Sequence, residues 1–179
     1  MTGLPGEMCI LAARLAQSPQ GETMLSPDLR AVKTNGSLYL VSKTPSIAET
    51  PLIKQGTLCF DGIGAVRIRE TYPIPSADLW SQVIDADSLE GTVIRSRRDG
   101  DHIVPFGMKG RKSLSDYMID RHVDQPLRDI LPLIARDDEI LYVPGAGISE
   151  HVRLRENSRA LNVKVELYMK GWVEDGTSH

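Results

Sequence analysis

The first periodic stretch of the chain covers residues 7–17 (EMCILAARLAQ), where Ile10, Leu11, Arg14 and Leu15 fall at i, i+1, i+4 and i+5. That spacing predicts an amphipathic helix that stops before Ser18-Pro19. A helix this short needs a surface to bury against. Because it starts almost at residue 1, its natural partner is expected outside the chain, which then reads as a piece of something longer. After Gly21 the period drops to two. Residues 29–33 and 37–41 alternate on either side of Asn35-Gly36, a type I′ turn signal, and predict a hairpin.

Residues 43–51 read as a loop, followed by strands at 57–60 and 65–69 with Gly62 and Gly64 as turn or bulge residues. Tyr72-Pro-Ile-Pro-Ser76 punctuates the chain. Further strands are predicted at 80–84 and 92–97, around a turn or one-turn helix at 85–89. Ser113 with Asp116 three residues on resembles a capping box, with Leu114, Tyr117 and Met118 as the apolar face of a helix. Asp124 before Pro126 starts a second short helix through Leu131. Residues 133–135 and 140–143 flank Arg136-Asp-Asp-Glu139 as a hairpin, Pro144-Gly-Ala-Gly147 breaks the chain, and 151–155 and 161–169 alternate as strands. The expected fold class is α+β: mostly antiparallel strands with a few short helices, in two small subdomains. These are residues 1–90 and 91–173, joined near Leu89 to Gly91, with a frayed tail at 174–179. No strand is followed by a helical crossover long enough for a parallel βαβ unit.

Composition narrows the class. With 41% hydrophobic and 25% charged residues, the 179-residue chain sits near average globular usage, which excludes a wholly disordered or collagen-like protein. No window holds 18 uninterrupted apolar residues and the start has no basic-then-apolar pattern, so neither a membrane span nor a secretory signal is expected. Cys9 and Cys59 lie far apart with no Cys/His cluster, so neither a disulfide scaffold nor a zinc site is expected, and a reducing cytoplasm is the expected compartment. The net charge of −3 hides an uneven distribution: residues 95–112 carry six basic and two acidic side chains inside an acidic protein. Any contact with a polyanion must therefore be local and shaped.

A search for catalytic machinery finds no GxxxxGK[ST], no GxGxxG after a strand, no GxSxG and no HExxH. His102, His122, His151 and His179 are scattered, so no metal ligand set and no catalytic residue is expected. The acidic runs around Asp85/Asp87 and Asp137-Asp138-Glu139 have turn composition and read as solvated turns. Trp80 and Trp172 read as packing anchors, lacking basic neighbours in sequence. One dense constellation remains: Arg95-Ser-Arg-Arg-Asp-Gly-Asp101, Pro105-Phe-Gly-Met-Lys-Gly-Arg-Lys112 and Ser113-Leu-Ser-Asp116. Arg95 and Arg97 alternate on a predicted strand and share a face, and Asp99 and Asp101 can pin guanidinium groups. Gly107 and Gly110 bracket Met108-Lys109, and Arg111-Lys112 precede a helix start whose free amides favour an anion. This is the composition of a phosphate-backbone site; the competing reading is an ion-paired surface network and a tight turn. For Arg67 and Arg69, with fewer partners, the ion-pair reading is favoured.

At this constellation the sequence resembles the C-terminal region of bacterial tRNA(Ile)-lysidine synthase. The resemblance rests on Arg95-Ser-Arg-Arg98, Gly100-Asp101, Pro105, Gly107-Met-Lys-Gly110, Lys112, Leu114-Ser-Asp116, Ile119-Asp120, Arg128-Asp129, Pro132 and Val143-Pro-Gly145, and more loosely on the first half. Asp124, Leu127 and Gly147 depart from that pattern. In the family, an ATP-pyrophosphatase domain with an SGGxDS loop adenylates the wobble cytidine and lysine displaces AMP. This chain has no SGGxDS. The resemblance therefore implies the tRNA-recognition part, gripping the acceptor end of tRNA(Ile), with Arg95, Arg97, Arg98, Lys109, Arg111, Lys112 and Arg128 as the contacts. It implies no cofactor in this chain, since ATP and lysine are used by the catalytic domain, and as partners tRNA(Ile) and that N-terminal catalytic domain of the same polypeptide, without membrane or DNA. The fragment alone is expected to be inactive. The alternatives are a non-catalytic protein-interaction module of the same fold and a stand-alone small-molecule enzyme.

Overall fold

The computed structural model describes residues 5–34, 37–42 and 46–167. These form two compact units that divide between residues 45 and 46. Among the described residues no helix is long and apolar enough to cross a membrane.

In the first unit, helix α1 (Gly6–Ala16) precedes strands β1 (Gly21–Ser26), β2 (Leu29–Thr34) and β3 (Ser37–Ser42), which form an antiparallel sheet in the order β1-β2-β3. The predicted hairpin is present, with Leu29 opposite Ser42 and Thr34 opposite Ser37; its Asn35-Gly36 turn lies outside the described residues. The helix finds its apolar partner within the chain: Ala12 is buried with Leu25 and Ala31, and Met8, Leu15, Leu29, Leu38 and Leu40 pack around them. Strand β1 was not expected. Of its six residues only Leu25 is buried, so the period-two pattern that announces a half-buried strand is missing.

The second unit is built from two sheets. Strands β4 (Thr50–Pro51), β5 (Gly56–Phe60), β6 (Gly64–Thr71) and β7 (Ser81–Asp85) lead through a 3-10 turn, Ala86–Leu89, into β8 (Val93–Arg95), β9 (His102–Ile103) and β10 (Lys112–Ser113). Helices α2 (Leu114–Asp120) and α3 (Gln125–Arg128) follow, then β11 (Leu133–Arg136), β12 (Glu139–Val143), β13 (Gly147–Ile148) and, after the 3-10 turn Glu150–Val152, β14 (Ala160–Leu167). One sheet runs β10-β9-β12-β11-β8-β4 with β13 on β12, and the other runs β5-β6-β14-β7. Pairing is antiparallel except for a single parallel bridge between Glu139 and His102. The architecture is thus α+β, as the hydrophobic pattern predicted.

The junction expected near Leu89 to Gly91 lies inside this unit and is not a boundary. Strand β14 inserts between β6 and β7, matching Val165 to Val66 and Leu161 to Ile84, while β4 pairs with β8. Residues on both sides of position 90 thereby share sheets and one core, in which Ile68, Ile84, Ile94, Ile134, Leu141 and Val163 are buried together. A second cluster, with Ile103, Leu114, Tyr117, Met118, Leu131, Leu133, Ile140 and Val143, lies under α2. Trp80 packs against both clusters, as expected of an anchor; Trp172 lies outside the described residues. Burial pushes the phenols of Tyr117 and Tyr142 above their ordinary value, and each donates to a backbone carbonyl, Ala146 and Leu79 respectively.

Three local readings change. The strand expected over 92–97 ends at Arg95, because the next residues turn back toward Asp101: Arg98 N–H donates to its carboxylate at 2.7 Å and Asp101 N–H to the Arg98 carbonyl. The strand expected over 151–155 is instead a 3-10 turn capped by Ser149, whose hydroxyl accepts from the His151 amide. The helix expected to reach Leu131 is the single turn of α3.

Candidate functional site

The capping signal at Ser113 is realised: its hydroxyl accepts from the Asp116 amide at 3.1 Å and starts α2 immediately after β10. With the turn at 97–101 on the other side, this start borders an open cleft of about 330 Å³ lined by Arg97, Arg98, Gly100, Arg111, Lys112 and Ser113, among others. Four of the seven cations singled out in the sequence therefore meet on one surface.

Arg95 does not join them. Its side chain is 1% exposed and forms a two-pronged pair with Asp101, at 2.9 and 2.7 Å, while also donating to the carbonyls of Ser96 and Asp137. Among the described residues its Nε is buried without a partner. The expectation that Arg95 and Arg97 share an exposed face is corrected here. Arg95 is the last residue of its strand, and Arg97 already lies in the turn that Arg95 braces from inside.

The other cations reach solvent by different routes. Arg97 Nε donates to Asp129 at 2.6 Å and Arg98 to Glu49 at 2.8 Å, each through one side-chain nitrogen, which leaves further donors free of protein partners. Lys112 pairs with Asp120. Such exposed pairs are each worth at most about 1 kcal/mol, so they orient the cations without consuming them. Lys109 and Arg111 are exposed and make no hydrogen bond or ion pair among the described residues. Arg128 is half-buried, donates from Nε to the Val123 carbonyl at 2.9 Å and does not line the cleft. The ion-pair reading and the anion-site reading thus divide the constellation: Arg95 is structural, Arg128 braces a loop, and Arg97, Arg98, Lys109, Arg111 and Lys112 present charge outward. The parallel reading of Arg67 holds, since it pairs with Glu166 at 3.1 Å.

Sequence reasoning missed Glu150. Its carboxylate accepts from the Gly107 amide at 2.8 Å and from Arg153 at 2.8 Å, tying the 105–111 loop to the turn after β13. A single Glu 43 residues away from its partner carries no local signal. The Gly107 amide, followed by Arg153, holds the Glu150 carboxyl below the ordinary carboxylate range. A depressed folded-state value means that this contact stabilises the loop above the ordinary Glu value and is lost as pH falls through the lower folded one. In an NMR titration the Gly107 amide shift should follow Glu150 with a midpoint below the ordinary Glu value and lose that dependence in Glu150→Gln; a midpoint at or above that value would contradict the contact. Among the described residues no three His, Cys, Asp or Glu side chains converge as a metal site requires.

With this geometry in hand, comparison with known proteins is informative. Residues 92–165, which contain the whole cleft constellation, match the family described as TilS substrate C-terminal domain. A tRNA(Ile)-lysidine synthase of Clostridium tetani is 36% identical over 95 residues, covering 52% of this chain and 20% of that protein. A tRNA(Ile)-lysidine synthase of Geobacter sulfurreducens is 29% identical over 160 residues, covering 83% of this chain and 33% of that protein. The matched part of the chain therefore spans between a fifth and a third of these curated relatives. Among solved structures, a crystal structure of a TILS C-terminal domain superposes with a TM-score of 0.57 at 26% identity, over 68% of this chain and 97% of that one.

Proposed function

We propose that this chain, which through residues 92–165 belongs to the TilS substrate C-terminal domain family, binds tRNA(Ile) and positions it for ATP-dependent conversion of the wobble cytidine to lysidine. In this reading the acceptor stem lies on the cleft beside α2, and the chemistry, with its ATP and lysine, belongs to an N-terminal catalytic domain of the same polypeptide acting in the cytoplasm. The observation that carries the reading is the cleft itself: Arg97, Arg98, Arg111 and Lys112 border one open basin. Lys109 stands beside it in sequence, and neither Lys109 nor Arg111 is satisfied by the protein among the described residues. Cations held outward without internal partners are suited to exchange counterions for phosphates.

The test is tRNA affinity at two or more salt concentrations. The chain is expected to bind folded tRNA with affinity that falls steeply with salt. Arg97→Ala and Lys109→Ala should each weaken binding by about 1 kcal/mol and reduce the salt slope by about 0.7 to 0.9, while stability stays within about 0.5 kcal/mol, as for other surface substitutions. Unchanged affinity in both variants would remove the cleft from the assignment. No tRNA binding at all would favour a protein-interaction module of the same fold.

A further inference from the structure

The chain has two phenylalanines. Phe60 packs against the core of the second unit, whereas Phe106 is 56% exposed and Met108, two residues on, is 55% exposed. Scattered exposed apolar side chains are ordinary, but this pair sits on a loop whose successive backbone amides are hydrogen-bonded. The Phe106 amide donates to the Ile148 carbonyl at 3.2 Å and the Met108 amide to the Pro105 carbonyl at 2.9 Å. Between them the Gly107 amide donates to Glu150 at 2.8 Å, and Pro105 bridges to Ser149. Three consecutive amides are thus tied down while the side chains of Phe106 and Met108 remain largely in water. Gly107 adopts a φ of +79°, a conformation costly for other residues, to make this turn.

A loop ordered at its backbone and apolar at its tip has already lost the freedom that a ligand would otherwise have to remove. What it would take is indicated by its flank: Lys109 and Arg111 follow directly, exposed and without protein partners among the described residues. Apolar contact surface beside unsatisfied cations complements a molecule with flat apolar faces on a polyanionic backbone, which is single-stranded nucleic acid. We propose that Phe106, supported by Met108, stacks against an unpaired base of the RNA whose phosphates face Lys109 and Arg111. This rests on the tRNA-binding reading above and adds to it a contact to a base in place of one to phosphate, at a residue that contributes no charge.

The two contributions separate experimentally because stacking releases no counterion. Affinity is measured by fluorescence anisotropy for an acceptor-stem hairpin RNA carrying its 3′ single-stranded tail and for the same hairpin made blunt, with the chain itself, Phe106→Ala and Phe106→Trp. The expected result is that Phe106→Ala weakens binding to the tailed RNA about tenfold, leaves the salt slope unchanged, and has little effect on the blunt RNA, while Phe106→Trp retains affinity. A 2-aminopurine placed in the tail should be quenched by the unsubstituted chain and by Phe106→Trp, and not by Phe106→Ala. If the chain binds the tailed RNA and Phe106→Ala binds it equally well, the stacking contact is refuted and the tRNA-binding reading survives. If Phe106→Ala weakens tailed and blunt RNA alike with a reduced salt slope, Phe106 supports the cationic loop and does not contact a base. If the chain binds neither RNA at any salt concentration, both readings fall. An unchanged melting temperature in Phe106→Ala excludes misfolding as the source of a loss.

Discussion

Replacing Arg95 with Met should lower the stability of the protein by about 3 to 5 kcal/mol, seen as a large fall in the urea midpoint with little change in slope. The reason is asymmetry. Together, Arg95 and Asp101 satisfy each other at 2.7 and 2.9 Å in a place where their side chains are 1% and 2% exposed; apart, the Asp101 carboxylate is a buried charge without its counterion. The Asp137 carbonyl, which accepts from the same guanidinium, also loses a donor. Replacing both partners, as Arg95→Met with Asp101→Leu, removes the uncompensated charge, although it leaves the Arg98 amide unpaired. The double variant should therefore lose less than the sum of the two single losses, and a strictly additive cycle would show that the pair is not coupled. At a temperature where Arg95→Met is still folded, its salt slope for tRNA binding should match that of the parent chain, because a guanidinium enclosed by protein reaches no phosphate and any affinity lost comes through the turn that it braces. A reduced salt slope in that folded variant would return Arg95 to the contact set.

Gly64→Ala should cost about 3 kcal/mol for a different reason. A Cβ at residue 64 would lie 2.1 Å from the carbonyl oxygen of Glu166 and 2.9 Å from the Cα of Leu167, both on the paired strand β14. The clash is with backbone, which cannot rotate aside as a side-chain tip can, so β6 and β14 must separate locally. Overpacking of this kind costs about 1 to 3 kcal/mol, and here a strand pairing is lost with it. Thermal unfolding measures the cost. Hydrogen exchange should show faster opening confined to residues 64–68 and their β14 partners. The neighbouring Gly62→Ala provides the contrast, since a Cβ there meets no atom within 4 Å and the penalty arises only from a φ of +70°. A loss at Gly62 equal to that at Gly64 would show that backbone conformation, not close approach, requires the second glycine.

Local chemistry was enough to place most elements in this chain. The helix ahead of Ser18-Pro19, the hairpin flanking Asn35-Gly36, the paired strands around Gly62 and Gly64, the Ser113 cap and the hairpin around Asp137-Asp138 all follow from signals within ten or so residues of each other, and each is present at about its predicted bounds. The cluster of cations was also legible, because six of eighteen residues between 95 and 112 are basic. Its internal division was not. Arg95 and Arg97 are equivalent by spacing, and what sends one inward is Asp101 together with the Asp137 carbonyl, 42 residues away. The domain boundary near residue 90 failed for a related reason. Strand β14 pairs with β6 over sequence separations of 89 to 103 residues and with β7 over 75 to 83, and no local periodicity encodes which strand will lie between two others. The firm anchoring of the 105–111 loop depends likewise on Glu150, which is unremarkable in its own sequence neighbourhood. Periodicity, caps and turns report what each segment can bury and where it must bend. Which charge is neutralised inside, which remains for a ligand and which strands become neighbours are decided by contacts between distant segments, because desolvation and pairing depend on what surrounds a group in space.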